Sequence, residues 1–260
     1  MEQDGPVARF VALVARAEPA LDEAALALAA GADPDLDPAP WLAELDRLAD
    51  GVDSVPGLVR RLFVEEGFTG NSTDYTDPRN SLLPQVLARR TGIPITLSVV
   101  AIEVARRAGI RLEGIGMPGH FLVRVADTEQ YLDVFDGGRR LDRAGCEERF
   151  RAVTGSAAPF GPDMLPRTST RDILVRMLEN LRAVYRTRGG PADREWVLRM
   201  RLAVRPDEER LVELGEVLGT QARWDEGARL ITAYLAGGTH PPEREERLRR
   251  TARSLLAHLN

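Results

Sequence analysis

The sequence contains no lysine, so all 35 basic side chains set against its 40 acidic ones are arginines. A Schiff-base lysine, a phosphate-loop lysine and a lysine general base are thereby excluded. Cysteine is almost absent as well. The single Cys146 rules out an intrachain disulfide and any multi-cysteine zinc or iron–sulfur site, and no metal or cofactor is expected. No segment approaches the roughly 18–20 unbroken apolar residues that span a bilayer, so no membrane association is expected. The opening MEQDGPVARFVALVARAEPA has no basic region ahead of its apolar stretch and does not read as a signal peptide. One cysteine and no export signal point to the cytoplasm.

What is present suffices for a substantial core: 260 residues, 43% hydrophobic and 29% charged, as one large domain or two small ones. Charge is unevenly placed. Residues 1–160 carry 17 arginines against 25 acids (−8), and residues 161–260 carry 18 against 15 (+3), which together give the net −5. A surplus of three over a hundred residues is too small to indicate nucleic acid. The Arg-Arg pairs starting at 60, 89, 106, 139 and 249 fall near helix ends or turns, with no aromatic platform beside them, so no nucleic-acid partner is expected.

The first hundred residues read as helices broken by proline clusters. VARFVALVARA, LDEAALALAAGA, WLAELDRLADGV and VPGLVRRLFVEEGF carry helical patterns, while DPDLDPAP and the polar TGNSTDYTDPRN read as loops. Asn80 is expected to cap SLLPQVLARR, and Pro94 to open ITLSVVAIEVARRAG, which closes on Gly109. That helix is apolar nearly all round, which predicts burial on most sides and obliges Thr96, Ser98 and Glu103 to find partners. Strand-like IRLEGIGM follows. HFLVRVA and QYLDVFD then flank a polar DTE, as in a hairpin. The pattern is α+β: a central buried helix packed on an antiparallel sheet. From residue 168 onward the chain is helical, with one long amphipathic segment and four shorter ones, as in helical-hairpin repeats. Leu211, Leu214, Gly215, Leu218, Trp224 and Ala228 loosely follow a tetratricopeptide pattern. The expected division is 1–165 for the α+β domain with its N-terminal helices and 166–260 for the helical region.

The order helix N-terminus, His120, Asp133 is the layout of a thiol triad in transglutaminase-like folds. A thiolate is stabilised at a helix N-terminus, a histidine takes its proton, and a carboxylate orients the imidazole. TDPRNSLLPQVLARRTGIPITLSVVAIEVARRAGIRLEGIGMPGHFLVRV, with YLDVFDGG after it, resembles the bacterial SirB1 family of transglutaminase-like proteins. The resemblance is densest over 68–138. It implies a papain-like, transglutaminase-type domain followed by tetratricopeptide-like helices, with His120 and Asp133 matching two members of the triad. Counting back from Gly109 to the nucleophile's position reaches Pro94, with Thr96 and Ser98 just inside the helix, so the family's thiol is missing here.

Each of these residues has a plainer role open to it. Thr96 and Ser98 are the hydroxyls that could replace a thiol, yet first-turn hydroxyls commonly bond the backbone and an alkoxide forms far less readily than a thiolate. Cys146 follows both His120 and Asp133, and Glu147 and Glu148 beside it would raise its pKa, so it is not expected to be catalytic. Counting across DTE puts Asp136 nearer His120 than Asp133, leaving the register open. Tyr75, Arg79, Asn80 and Pro94 are expected to line a groove beside the histidine, or else to cap and hold the next helix. The expected function is a non-catalytic binding or scaffolding module for a protein or peptide. The alternative is a hydrolase or amidase using Thr96, Ser98 or an activated water with His120 and Asp133. The sequence gives no oligomeric state.

Overall fold

The computed structural model describes residues 5–258. Four N-terminal helices come first: α1 (Pro6–Val14), α2 (Leu21–Ala29), α3 (Ala39–Ala49) and α4 (Val55–Val59), the last running into a wider π-turn at Arg60–Glu65. The two-residue strands β1 (Thr69–Gly70) and β2 (Thr91–Gly92) pair in parallel and enclose α5 (Leu83–Arg89). The central helix α6 (Pro94–Arg107) follows. Then come β3 (Leu112–Ile115), β4 (Leu122–Val125), β5 (Tyr131–Asp133), β6 (Arg139–Leu141), α7 (Arg143–Thr154) and β7 (Arg167–Thr168). Five helices complete the chain: α8 (Thr170–Arg188), α9 (Pro191–Val204), α10 (Glu208–Gly219), α11 (Trp224–Ala236) and α12 (Pro242–Ala257).

The five-stranded sheet has the order β6-β5-β4-β3-β7 and is antiparallel throughout, so the expected α+β architecture is present. Strand alternation divides its faces. Phe121, Val123 and Leu132 join the main core with α6, while Leu122 and Tyr131 pack with Cys146 and Phe150 of α7. The α6 helix is sealed as its composition predicts, with eleven of its fourteen residues buried. Its polar Glu103 faces Arg106, Arg107 and the buried Asp22 of α2. The same core extends through Ile173, Leu174, Met177 and Leu178 of α8 to Val197 and Met200 of α9.

Beyond α8 each helix packs on the next, with smaller apolar clusters between them. Gly219 is required there, because a Cβ would sit 2.1 Å from the Trp224 ring. The arginines of this region are largely tied to carboxylates of neighbouring helices: Arg201 and Arg210 both meet Glu179, and Arg199 and Arg223 both meet Glu195.

One local expectation differs from the structure, and three further elements go unmarked in the sequence. Asn80 does not cap α5, whose N-cap is Leu82, because its side chain is turned inward to staple the preceding loop. The charged stretch around Cys146 is a helix, α7, that covers the second face of the sheet, with Asp142 as its N-cap. The short strands β6 and β7 sit at the sheet's two edges, where few residues and no alternation mark them in the sequence.

Candidate functional site

The MPGH turn places His120 just ahead of β4. The turn is closed by the His120 backbone N–H donating to Met117 O at 3.1 Å, and Gly119 supplies the left-handed φ of +74° that it needs. The ring is buried, with Nε2 3.0 Å from Asp133 Oδ1. Asp133 ends β5, where the chain tightens into a 3₁₀ turn over Val134–Asp136. Its Oδ1 accepts the backbone N–H groups of Phe135 and Asp136. Oδ2 lies 2.7 Å from Arg149 Nε of α7, a contact of opposite charges rather than an aligned hydrogen bond.

Asp133 is fully buried, which by itself would raise its pKa. The His120 contact, the Arg149 charge and the Asp136 N–H outweigh that and hold it below the ordinary carboxylate range. The 3₁₀ turn also resolves the register. Strict pairing runs Val123 to Leu132, but β5 stops at Asp133 and turns that carboxylate toward the histidine, while Asp136 is drawn outward to Arg149. Asp136 is therefore not the histidine's partner. His120 Nδ1 has no hydrogen-bond partner among the described residues and is not among the sealed polar atoms.

The hydroxyls expected near this ring are committed elsewhere. Thr96 Oγ1 donates to Asn80 O at 2.6 Å and accepts the Ile93 N–H at 3.2 Å, standing in for the side chain that the N-cap Ile93 cannot offer. Ser98 Oγ donates to Pro94 O at 2.8 Å, one turn back along α6. Both residues are fully buried, and neither hydroxyl bonds His120. Cys146 is sealed on the inner face of α7, where burial and the nearby Asp142, Asp133 and Glu129 push its thiol up to about 12.

Of the four residues expected to line a groove, one stands at the surface near the histidine. Tyr75 is half exposed and meets Phe135 edge-on at 6.2 Å, and Phe135 meets the His120 ring in the same way at 6.2 Å. Pro94 and Asn80 are buried and line no groove: the first is enclosed as the opening residue of a core helix, the second as the staple between Asn71 and Asp74. Arg79 points to Asp77, which also takes Arg89.

Three neighbours of the His120–Asp133 couple were not evident in the sequence. Arg149 arrives from α7, and Phe135 from the 3₁₀ turn. Arg176 comes from α8, and its Nη2 donates to His120 O at 2.9 Å and Met117 O at 3.3 Å. The sequence signal for Arg176 is a cation embedded in the apolar run ILVRML.

The transglutaminase-like superfamily pattern matches residues 15–179, which hold α2 through the first half of α8 and all of the sheet. A UPF0162 protein of Xylella fastidiosa is 50% identical over 131 residues, covering 48% of this chain and 47% of that protein, so this match spans about half the length of each. A UPF0162 protein of Pseudomonas aeruginosa is 37% identical over 215 residues, covering 78% of this chain and 75% of its own. Human F-box only protein 21 is 32% identical over 167 residues, which are 59% of this chain and 26% of that one. With the buried helix, the antiparallel sheet and the His120–Asp133 couple in place, these matches establish the family: the chain belongs to the transglutaminase-like superfamily.

Proposed function

We propose that this chain is a non-catalytic member of its superfamily, a binding or scaffolding module that receives a protein or peptide beside His120. One observation carries the reading. The histidine–carboxylate couple is intact at 3.0 Å, yet the hydroxyls where a nucleophile would stand, Thr96 and Ser98, each donate to a backbone carbonyl. An alkoxide at either position would have to break a buried hydrogen bond before it met a base. The sealed Cys146 supplies no thiolate. In this reading His120 and Asp133 hold the turn and present Nδ1 to a ligand, and the helices from α9 to α12, of tetratricopeptide type, offer a second surface. The similarity to F-box only protein 21, where the matching segment is a quarter of a longer chain, favours a protein-interaction role. A cytoplasmic setting belongs to the same reading and rests on the single, unreactive cysteine.

The alternative, His120 activating a water for hydrolysis, is favoured by the unpartnered Nδ1 and needs no hydroxyl from α6. One comparison decides between them. The protein and its His120→Ala variant are incubated with thiol- and hydroxyl-directed electrophiles and with glutaminyl and ester substrates, product being followed by mass spectrometry. The binding reading expects no adduct on α6 and no turnover that depends on His120. Turnover abolished in His120→Ala would overturn it.

A further inference from the structure

A charged side chain withdrawn from water is ordinarily paired, because the desolvation of an isolated charge is costly. The half-buried and buried arginines of this chain mostly follow that rule. Arg201 has Glu179 and Asp207, Arg107 has Asp22, Asp46 and Glu103, and Arg149 has Asp133 and Asp136. Arg176 does not. No carboxylate lies within ion-pairing distance of it among the described residues, and its hydrogen bonds go from Nη2 to two backbone carbonyls, Met117 O and His120 O. Its guanidinium stands over the Phe121 ring at 5.1 Å and passes against Gly116, where a Cβ would come within 2.9 Å of Nη1. Desolvation lowers its pKa, and the one ionisable neighbour that offsets this is the phenol of Tyr75, itself neutral at ordinary pH and pushed further up by burial.

The position of this charge gives it meaning. Nη2 is fixed on the carbonyl of His120 itself, so the guanidinium and the imidazole are held by one turn. Tyr75 stands half exposed at the surface, joined to His120 through Phe135. Nε and Nη1 carry no hydrogen bond among the described residues and are not among its sealed polar atoms, which leaves donors open to an incoming group. The negative charge at the site is already matched, since Asp133 has both His120 and Arg149. The cation of Arg176 is the charge left over.

We propose that Arg176 receives a carboxylate of the peptide bound at this site, so that the preferred ligand is an acidic peptide, read through a side-chain carboxylate or a chain terminus. This rests on the binding reading above and specifies its ligand. A charge-assisted N–H to O⁻ bond in a partly desolvated setting is stronger than a neutral one and directional. Holding the guanidinium on two carbonyls beforehand reduces the ordering cost of forming it.

The test uses the intact protein and small probes. N-acetylglutamate amide carries the side-chain carboxylate, N-acetylglycine the terminal one, N-acetylglutamine amide is the neutral control, and inorganic phosphate the competing anion. The arginine Nε–Hε resonance of Arg176 and the ring resonances of His120 are followed by NMR through each titration. Saturable shifts with one or both carboxylates, absent with the glutamine analogue, are expected, and the probe that saturates first identifies the source. The shifts should vanish in Arg176→Gln and return, weakened, in Arg176→Lys. Because the wild-type resonances report directly, a loss of turn geometry in Arg176→Gln cannot imitate the result. Unmoved Arg176 resonances, equal response to the glutamine control, or saturation by phosphate ahead of both carboxylates would each overturn the proposal. A peptide that binds beside His120 with the same affinity in Arg176→Gln would overturn it too, while leaving the binding reading intact.

Discussion

His120 Nε2 and Asp133 Oδ1 lie 3.0 Å apart, and the other oxygen of that carboxylate faces Arg149 Nε at 2.7 Å. Asp133 is thus the hinge of a three-membered polar chain inside the protein, with the sheet on one side and α7 on the other. Removing its charge while keeping its shape, in Asp133→Asn, leaves the guanidinium facing a neutral amide. A buried pair broken in this way costs about 3–5 kcal/mol, and the lower end is expected here because Arg149 retains Asp136. Asp136→Asn removes only the partly exposed half of the arrangement and should cost no more than about 1 kcal/mol. Urea denaturation of the two variants checks the contrast, and equal losses would contradict it.

The hydroxyls of α6 offer a sharper division between structure and chemistry. Thr96 Oγ1 serves both the Asn80 carbonyl and the Ile93 N–H, so Thr96→Val strands two buried backbone groups at a cost of about 1–3 kcal/mol. Ser98 only bonds back to a carbonyl one turn away that belongs to its own helix. Such a bond adds little to a helix, and Ser98→Ala should leave stability nearly unchanged. If either hydroxyl were a nucleophile the order of effects on activity would be independent of this stability order. Thermal melts of the pair, set beside the electrophile labelling described above, separate the two roles.

Two buried carboxylates should respond to pH in opposite senses. Asp133 is held low in the folded state, so its contribution is present above the unfolded value of about 3.9 and is lost as pH falls through the folded pKa. Glu103 is the reverse case. Burial raises it first and the charge of Asp22 second, more than Arg106 and Arg107 lower it. Its favourable contribution is therefore complete below the unfolded value of about 4.3 and declines as pH rises through the raised folded value. Relative to wild type, Glu103→Gln should gain stability as pH rises through that interval, while Asp133→Asn should lose it as pH rises through the Asp133 range. Denaturant midpoints collected from pH 3 upward, in steps of about half a unit, read both signs at once; parallel curves would refute the assignment.

What the sequence disclosed, and what it hid, follow from how far each feature depends on distant residues. The helix from Pro94 to Arg107 is legible because proline at its start and an apolar surface all round are local properties. The hairpin of β4 and β5 is legible for the same reason. The partner of His120 is legible through the family resemblance, which names Asp133, but not through strand spacing, because simple counting across DTE favours Asp136. The chain leaves the strand at Asp133 for a 3₁₀ turn, and no residue before it announces the change. Asn80 is a good N-cap by type, yet its side chain is captured by Asn71 and Asp74 O across a loop. Arg149 reaches Asp133, and Arg176 the His120 carbonyl, from helices that lie later in the chain, and only the packing of α7 and α8 brings them there.

The Phe135 ring that links Tyr75 to the histidine is itself held by a glycine. A Cβ on Gly70 would stand 2.5 Å from the Phe135 ring and 2.7 Å from the Phe135 carbonyl oxygen, and the second of these is backbone that cannot swing aside. Gly70→Ala must therefore displace the 3₁₀ turn that carries Phe135, and with it the N–H groups that Asp133 accepts. Overpacking of this kind costs about 1–3 kcal/mol. Phe135→Leu relieves the ring contact but not the carbonyl one, so the double variant should recover only part of that loss. It should not restore the edge-on contact with His120. The expected result is a double variant whose loss is smaller than the sum of the two single losses, with a denaturation midpoint still below that of Phe135→Leu alone and His120 ring resonances that stay shifted. Fully additive losses would show instead that Gly70→Ala strains the turn through the Phe135 carbonyl alone and not through its ring.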